Sequence, residues 1–345
     1  MKIYKLILIG IVGLLSGACD DKLTDEVQLD ITVASSENVK MEGNVITVKK
    51  GEPINFLLSG KADFISFFSG EKGAKYINRE RTSYRIEDIK STILSFDVKT
   101  QYGESKEVLK MFYSNTFPGI SKSDFEADSV LVEKFEWKEL VPQADLPQVS
   151  GASYSANIDL LEYLGQPLTF AIYYKQLVIS TTVGSPRFEF SNFKITNTLQ
   201  DGSTEVMFAN RLGLTPLNML NKWNIPSYDQ LGSNREYGTV TNNQTGLWSF
   251  TDTNLQRGFF SIHSGWTGDP AVTPLMYSWL LSTPMTFNVC DPDQGTKVKD
   301  STMPLTSHTY TYNKVGIYDA TFLARNVNVE FSSEQVKHLV INVVE

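Results

Sequence analysis

Cysteine and histidine are both scarce: 345 residues contain two cysteines and three histidines, which removes several chemistries at once. Cys19 and Cys290 cannot build a multi-disulfide frame or a thiol-rich zinc site, and Cys290, beside the apolar stretch Met285 to Val289, reads as a small buried residue. His263, His308 and His338 are too scattered for metal-ligand spacing, and no Gly-x-Ser-x-Gly elbow accompanies them to supply a serine nucleophile. Glycine-rich phosphate loops are missing too. Basic clusters are absent: 31 basic against 39 acidic side chains give a net charge of −8, a balance that repels nucleic acid and anionic lipid. Internal repeats and low-complexity tracts do not occur. No apolar run is long enough to span a bilayer.

The longest such run, Leu6 to Leu15, is the length of a signal-peptide core and follows Lys2 and Lys5. It ends in Leu15-Ser16-Gly17-Ala18-Cys19, small residues before a cysteine, which resembles a bacterial lipobox. The expectation is a signal peptide over 1–18, acylation (palmitate among the chains) of Cys19, and a membrane attachment by that lipid alone. Cleavage would leave about 327 residues with 29 basic and 39 acidic side chains, a net charge of −10. Asp20, Asp21, Lys22, Asp25 and Glu26 then form a polar tether over 19–28 without apolar periodicity. It is similar to the acidic export tag of Bacteroidetes surface lipoproteins, implying the outer face of the outer membrane.

Beyond the tether, period-two alternation recurs: Leu29 to Val33, Asn44 to Lys49, Ile54 to Leu58, Ile93 to Lys99 and Val108 to Tyr113, with turns such as Lys50-Gly51-Glu52-Pro53 between. The pattern predicts an all-β protein of serial β-sandwich modules. A PKD/immunoglobulin-like sandwich is expected over 29–117, a jelly-roll-like sandwich over 118–283 and a small immunoglobulin-like β segment over 284–345. The second block is expected to open with a strand at Val130 to Leu140 carrying Leu131, Phe135 and Trp137 on one face. Pro216 to Trp223 is the one helical interruption expected. Sixty residues are few for a free-standing third sandwich, so the last strands are also read as completing the middle block.

Three stretches carry a family resemblance: Phe64 to Gly73 with Tyr76 and Arg79; Trp279 to Pro284 with Asp291-Pro292-Asp293-Gln294-Gly295; and Gly316 to Asn326. They resemble a family of uncharacterised Bacteroidetes lipoproteins bearing a domain of unknown function. Such proteins are similar to accessory lipoproteins beside SusC/SusD-type outer-membrane transporters. The resemblance implies glycan capture with such a transporter complex as partner; it brings no catalytic residue and no cofactor.

The residues themselves point to binding rather than catalysis. Glycoside hydrolysis needs two facing carboxylates, and no acidic pair stands in an aromatic setting that would mark one. The Asp291–Asp293 turn offers oxygen ligands for calcium, but a short acidic turn is more often only a turn. Aromatic residues make up 12% of the chain, and a sugar ring's C–H face packs well on an exposed indole or phenol flanked by polar donors. That pairing is densest in loops of the middle block. The ligand-binding candidates are Trp266, Trp248, Trp223, Tyr228, Arg235, Asn243 and Asp269. Trp266, between two glycines, is the sharpest; Trp137 and Trp279 sit in strand-like runs and read as core. Glu71, Tyr76 and Arg79 read either as a converging site or as a turn with local ion pairs. Three function classes follow: a non-catalytic glycan binder, a lipoprotein that docks on a transporter, and, behind both, an enzyme whose acids the sequence does not reveal.

Overall fold

A computed structural model describes residues 26–103, 105–176, 186–220, 234–239, 248–262, 277–304, 307–329 and 331–345. Strands dominate, as the alternation predicts. They are, in chain order, β1 (Gln28–Val33), β2 (Val39–Glu42), β3 (Val45–Lys49), β4 (Pro53–Lys61), β5 (Phe64–Phe68), β6 (Ile89–Gln101) and β7 (Leu109–Ser114). After helix α1 (Phe125–Lys134) come β8 (Lys138–Val141), β9 (Ser153–Asp159), β10 (Thr169–Lys175), β11 (Arg187–Leu199), β12 (Thr204–Phe208), β13 (Thr215–Asn218) and β14 (Trp248–Ser249). The short α2 (Asp252–Leu255) precedes β15 (Phe260–Ile262) and β16 (Tyr277–Leu281), and β17 (Thr296–Lys299), β18 (Ser307–Thr311), β19 (Gly316–Val327) and β20 (Ser332–Val344) close the chain.

These elements form two compact units, not three serial modules: Met1–Thr82 with Asp291–Glu345, and Ser83–Cys290 inserted between those segments. The first unit pairs a three-stranded sheet, β1-β4-β18, with a six-stranded one, β17-β5-β19-β20-β3-β2, and among its described pairings only β20 and β3 run parallel. Alternate residues of β3, β4 and β20 face a common core in which Ile46, Ile54, Phe56, Phe67, Phe322 and Ile341 are at most 1% exposed. Phe56 on one sheet lies 5.1 Å from Phe322 on the other, centroid to centroid. The segment expected as a third module supplies β17 to β20, which interleave with β1 to β5 in both sheets and share their core, so it completes this sandwich instead of forming one of its own.

The second unit is an antiparallel sandwich of β13-β16-β10-β7-β8 against β14-β15-β11-β6-β9, with β12 added on β11. β6 and β7, expected in the first sandwich, belong here. Inward residues of β6 meet those of β11 in register, Leu94 opposite Ile195 and Val98 opposite Phe190. A bulge between Ser191 and Lys194 places Asn192 at φ +54° and lets Phe190 and Phe193, three residues apart, both point inward.

Two local expectations are corrected. Val130 to Leu140 is not a strand: its first half is α1, started by Asp124, whose side chain accepts from the Ala127 N–H at 3.0 Å. Glu126 and Asp128 in the first turn and Lys134 in the last complement the helix dipole. Pro216 begins no helix, since Thr215–Asn218 pairs with β16; residues 221–223 lie outside the described residues. Trp137 and Trp279 are core-associated as expected, Trp279 at 5% exposure and Trp137 half-buried. Among the described residues no helix is long and apolar enough to cross a membrane.

Candidate functional site

Of the ligand residues expected from sequence, Trp223, Tyr228, Asn243, Trp266 and Asp269 lie outside the described residues, as does Cys19. Trp248 is a correction. It opens β14, pairs with Ile262 and is 0% exposed, its ring 6.2 Å from Phe260 and 6.4 Å from Phe190. Trp248 therefore presents no face to a sugar; it fills the sandwich core. Arg235 lies in a short turn pinned from both sides. The Asn218 side chain donates to the carbonyls of Arg235 (2.8 Å) and Gly238 (3.1 Å). Tyr237 donates to Asp128 on α1 at 2.8 Å, and its ring meets Phe125 edge-on. Asp128 also accepts from Ser121 and Lys122 N–H groups, at 2.8 and 2.9 Å. Burial pushes its carboxyl up, but these donors outweigh it and hold the carboxyl below its ordinary range.

A group of aromatics outside the sandwich interior lies on the outward face of β7, β10 and β16. Cross-strand register aligns Lys110, Tyr173 and Trp279 in one row, Phe112, Ala171 and Leu281 in the next, and Lys175 opposite Tyr277. Tyr173 meets Trp279 and Tyr277 edge-on at 5.0 and 5.4 Å, and Trp279 lies 5.9 Å from Phe112 and 6.1 Å from Trp137. The Trp279 indole N–H donates to the Tyr277 hydroxyl at 3.1 Å, and the Trp137 indole donates to the Val132 carbonyl at 3.0 Å, which fixes both rings. Buried Trp279 and Tyr277 form the floor, and half-buried Phe112, Trp137 and Tyr173 form the accessible layer. Burial, then Glu133, pushes the Tyr173 hydroxyl up to about 12, so it stays a neutral donor at physiological pH. Ring edges, indole and phenol faces and flanking polar heads are what a flat, weakly polar ligand requires. Sequence reading misses this layer because Tyr173 stands in a run, Thr169 to Tyr174, that looks uniformly buried; only the Lys110 and Lys175 positions betray an outward face.

Of the stretches that carry the family resemblance, Phe64 to Gly73, Asp291 to Gly295 and Gly316 to Asn326 meet in the first unit, whereas Trp279 to Pro284 belongs to the second. β5 pairs with β19 and β17. Gly70, at φ +79°, lies so close to Asp319 that an added Cβ would come within 2.6 Å of its carbonyl oxygen; one at Gly295 would come within 2.8 Å of the Phe68 ring. Asp293 is 5% exposed and accepts from the Lys75 N–H (2.9 Å), the Arg81 guanidinium (3.2 Å) and the Asn78 amide (3.5 Å). Its own N–H donates to the Asn78 carbonyl. The acidic turn is therefore a staple between two chain segments. Glu71 is held by the Tyr310 hydroxyl at 2.5 Å, and Arg79 stacks 4.1 Å over Tyr76 while pairing with Glu80 at 3.1 Å. These side chains satisfy one another locally. Among the described residues no group of three or more His, Cys, Asp or Glu side chains is placed to hold a metal ion.

Comparison with known proteins gives one match: the family model described as Domain of unknown function (DUF5017) covers residues 18–213, more than half of the chain. No curated protein and no solved structure matches.

Proposed function

We propose, from the premise that the chain belongs to the DUF5017 family, that it is a surface lipoprotein that binds polysaccharide or oligosaccharide without breaking it. The observation that carries this reading is the fixed aromatic face of β7, β10 and β16, where Phe112, Trp137 and Tyr173 lie accessible over Trp279 and Tyr277. Apolar sugar faces stack on such rings, and phenol and lysine heads give the polar contacts that orient them. Arg235 and, outside the described residues, Trp223, Tyr228, Asn243, Trp266 and Asp269 extend this reading along the sequence between Leu220 and Tyr277. Lipidation at Cys19 would hold the protein on the outer membrane, and by the resemblance above its partner would be a SusC/SusD-type transporter. No cofactor and no catalytic group enter the scheme.

Affinity electrophoresis of the purified protein through gels containing different polysaccharides tests it. At least one polymer should retard the protein; Tyr173→Ala should abolish that retardation, Tyr173→Phe should retain most of it, and Trp266→Ala reports on the loop. Unchanged mobility in every polymer overturns the reading. Fractionation of cells carrying Cys19→Ala tests the anchor: a variant that stays membrane-bound and surface-exposed removes it.

The alternative is a protein partner in place of a glycan. One feature favours it: Val45, Ile317 and Val344, on the outward side of β3, β19 and β20, are 38%, 77% and 39% exposed. Co-purification with a transporter, without glycan binding, would support this second reading.

A further inference from the structure

Two cations frame the aromatic face. Lys110 stands directly across from Tyr173, its ammonium 5.7 Å from the ring centroid. Lys175 stands two residues beyond Tyr173 on β10, across from Tyr277, its ammonium 4.8 Å from that ring. Among the described residues neither lysine forms an ion pair. Glu133 on α1 acts on the Tyr173 and Tyr277 hydroxyls and offsets at most one of the two positive charges, which leaves the face net positive. The chain as a whole is acidic, with a net charge of −8, yet surface charges beyond about 8 Å are screened at physiological ionic strength. The local pair therefore decides what the face attracts.

We infer that this face selects anionic glycans, bearing uronate or sulfate groups, over neutral ones; the inference rests on the glycan-binding reading above. A neutral polymer laid on Tyr173 would strip water from two ammonium groups and return no charge to them. An acidic one replaces that water with charge-assisted hydrogen bonds, shorter and stronger than neutral ones, while its ring still stacks on the phenol. The lysines' cation–π contacts hold them beside the rings without satisfying their hydrogen-bonding capacity, which leaves them poised for an oxyanion.

The test is affinity electrophoresis in about 0.15 M salt through polygalacturonate, a sulfated galactan and neutral xyloglucan. Retardation by one or both anionic polymers, and at least about tenfold less by xyloglucan, is the expected result; which anionic arm responds identifies carboxylate or sulfate as the recognised group. Lys110→Gln and Lys175→Gln should each weaken anionic retardation about fivefold, and the double variant should nearly abolish it. Lys297→Gln, on the other unit, should leave it unchanged. Both lysines are surface residues, and the thermal transition checks that each variant is folded. Equal retardation by xyloglucan that survives the double lysine substitution overturns this inference and leaves glycan binding standing. Retardation lost equally through Lys297→Gln shows general polyanion attraction and also overturns it. No retardation in any gel removes the broader reading together with this one.

Discussion

Replacing Asp293 tests whether the acidic turn near the carboxyl end is a staple. The side chain is 4% exposed; one carboxylate oxygen takes the Arg81 guanidinium and the other the Lys75 N–H and, more weakly, the Asn78 amide. A hydrogen bond to a charged group contributes roughly 1.5–3 kcal/mol, and a buried donor left without its acceptor costs a similar amount. Arg81 is 31% exposed and regains water when its partner leaves, so its share is discounted to below about 1 kcal/mol. Asp293→Ala should therefore cost about 3 kcal/mol and Asp293→Asn about 1–2 kcal/mol, since the amide oxygen still accepts from Lys75. For a unit of this size 3 kcal/mol lowers the melting temperature by about 10 °C. All five tryptophans fall within Ser83–Cys290, so a calorimetric transition silent in tryptophan emission belongs to the unit that holds Asp293. Because both oxygens are engaged, neither calcium nor EDTA should move that transition. A shift of less than about 1 °C in Asp293→Ala, or a calcium-dependent rise in the wild type, would refute the staple.

Three further outcomes are expected. His308 packs among Phe67, Phe322 and Phe56, and burial lowers its pKa from 6.5; a proton then binds the unfolded chain more readily than the folded one. Its contribution is complete above pH 6.5 and is lost as pH falls toward the depressed folded value, so the melting temperature should drop from pH 7.5 to 5 and His308→Phe should flatten that drop. Gly70→Ala combines a left-handed backbone with a Cβ aimed at the Asp319 backbone, and should cost about 3 kcal/mol by chemical denaturation. Trp248→Ala should cost about 3–5 kcal/mol as a core cavity, whereas Trp248→Phe should restore most of that stability with glycan retardation unaltered; lost binding in the stable Phe variant would restore a ligand role for Trp248.

Alternation made the strands legible but not their grouping. Asn44 to Lys49 and Val336 to Val343 each announce a strand with one apolar side, yet β20 finds β3 as a parallel neighbour across most of the chain's length. Nothing local in either segment encodes that choice, because the inward side of any such strand is satisfied by any complementary core. Helix α1 is a different failure. Its cap at Asp124 and its graded charges were readable, but Leu131, Phe135 and Trp137 fit a two-residue period well enough to mask them. Trp248 and Tyr173 show a third reason: Trp248, grouped with the loop candidates, is buried in β14, and Tyr173, not singled out because it stands in an apolar run, is half-buried on the outward side of β10. Sheet register, which sequence does not display, decided both.

Residues that hold the fold and residues that offer ligand chemistry are thus separate sets. Gly70 acts through backbone approach to Asp319, with no atom to spare for a ligand, whereas Lys110, Phe112, Tyr173 and Lys175 project from the outward side of strands whose other side carries the core. Both sets fall within the matched residues 18–213. Membership of the family should accordingly fix Gly70 while leaving the outward positions free to vary with the ligand. Exchanging the residues at 110, 112, 173 and 175 between two members should transfer glycan preference with stability changed by less than about 1 kcal/mol, since half-exposed positions outside the core tolerate substitution. The readouts are retardation and denaturation midpoint on the same four-residue chimera. Preference that stays with the recipient, in a chimera that remains folded, would locate specificity away from this face; a collapse in stability would show that the outward rings brace the sheet.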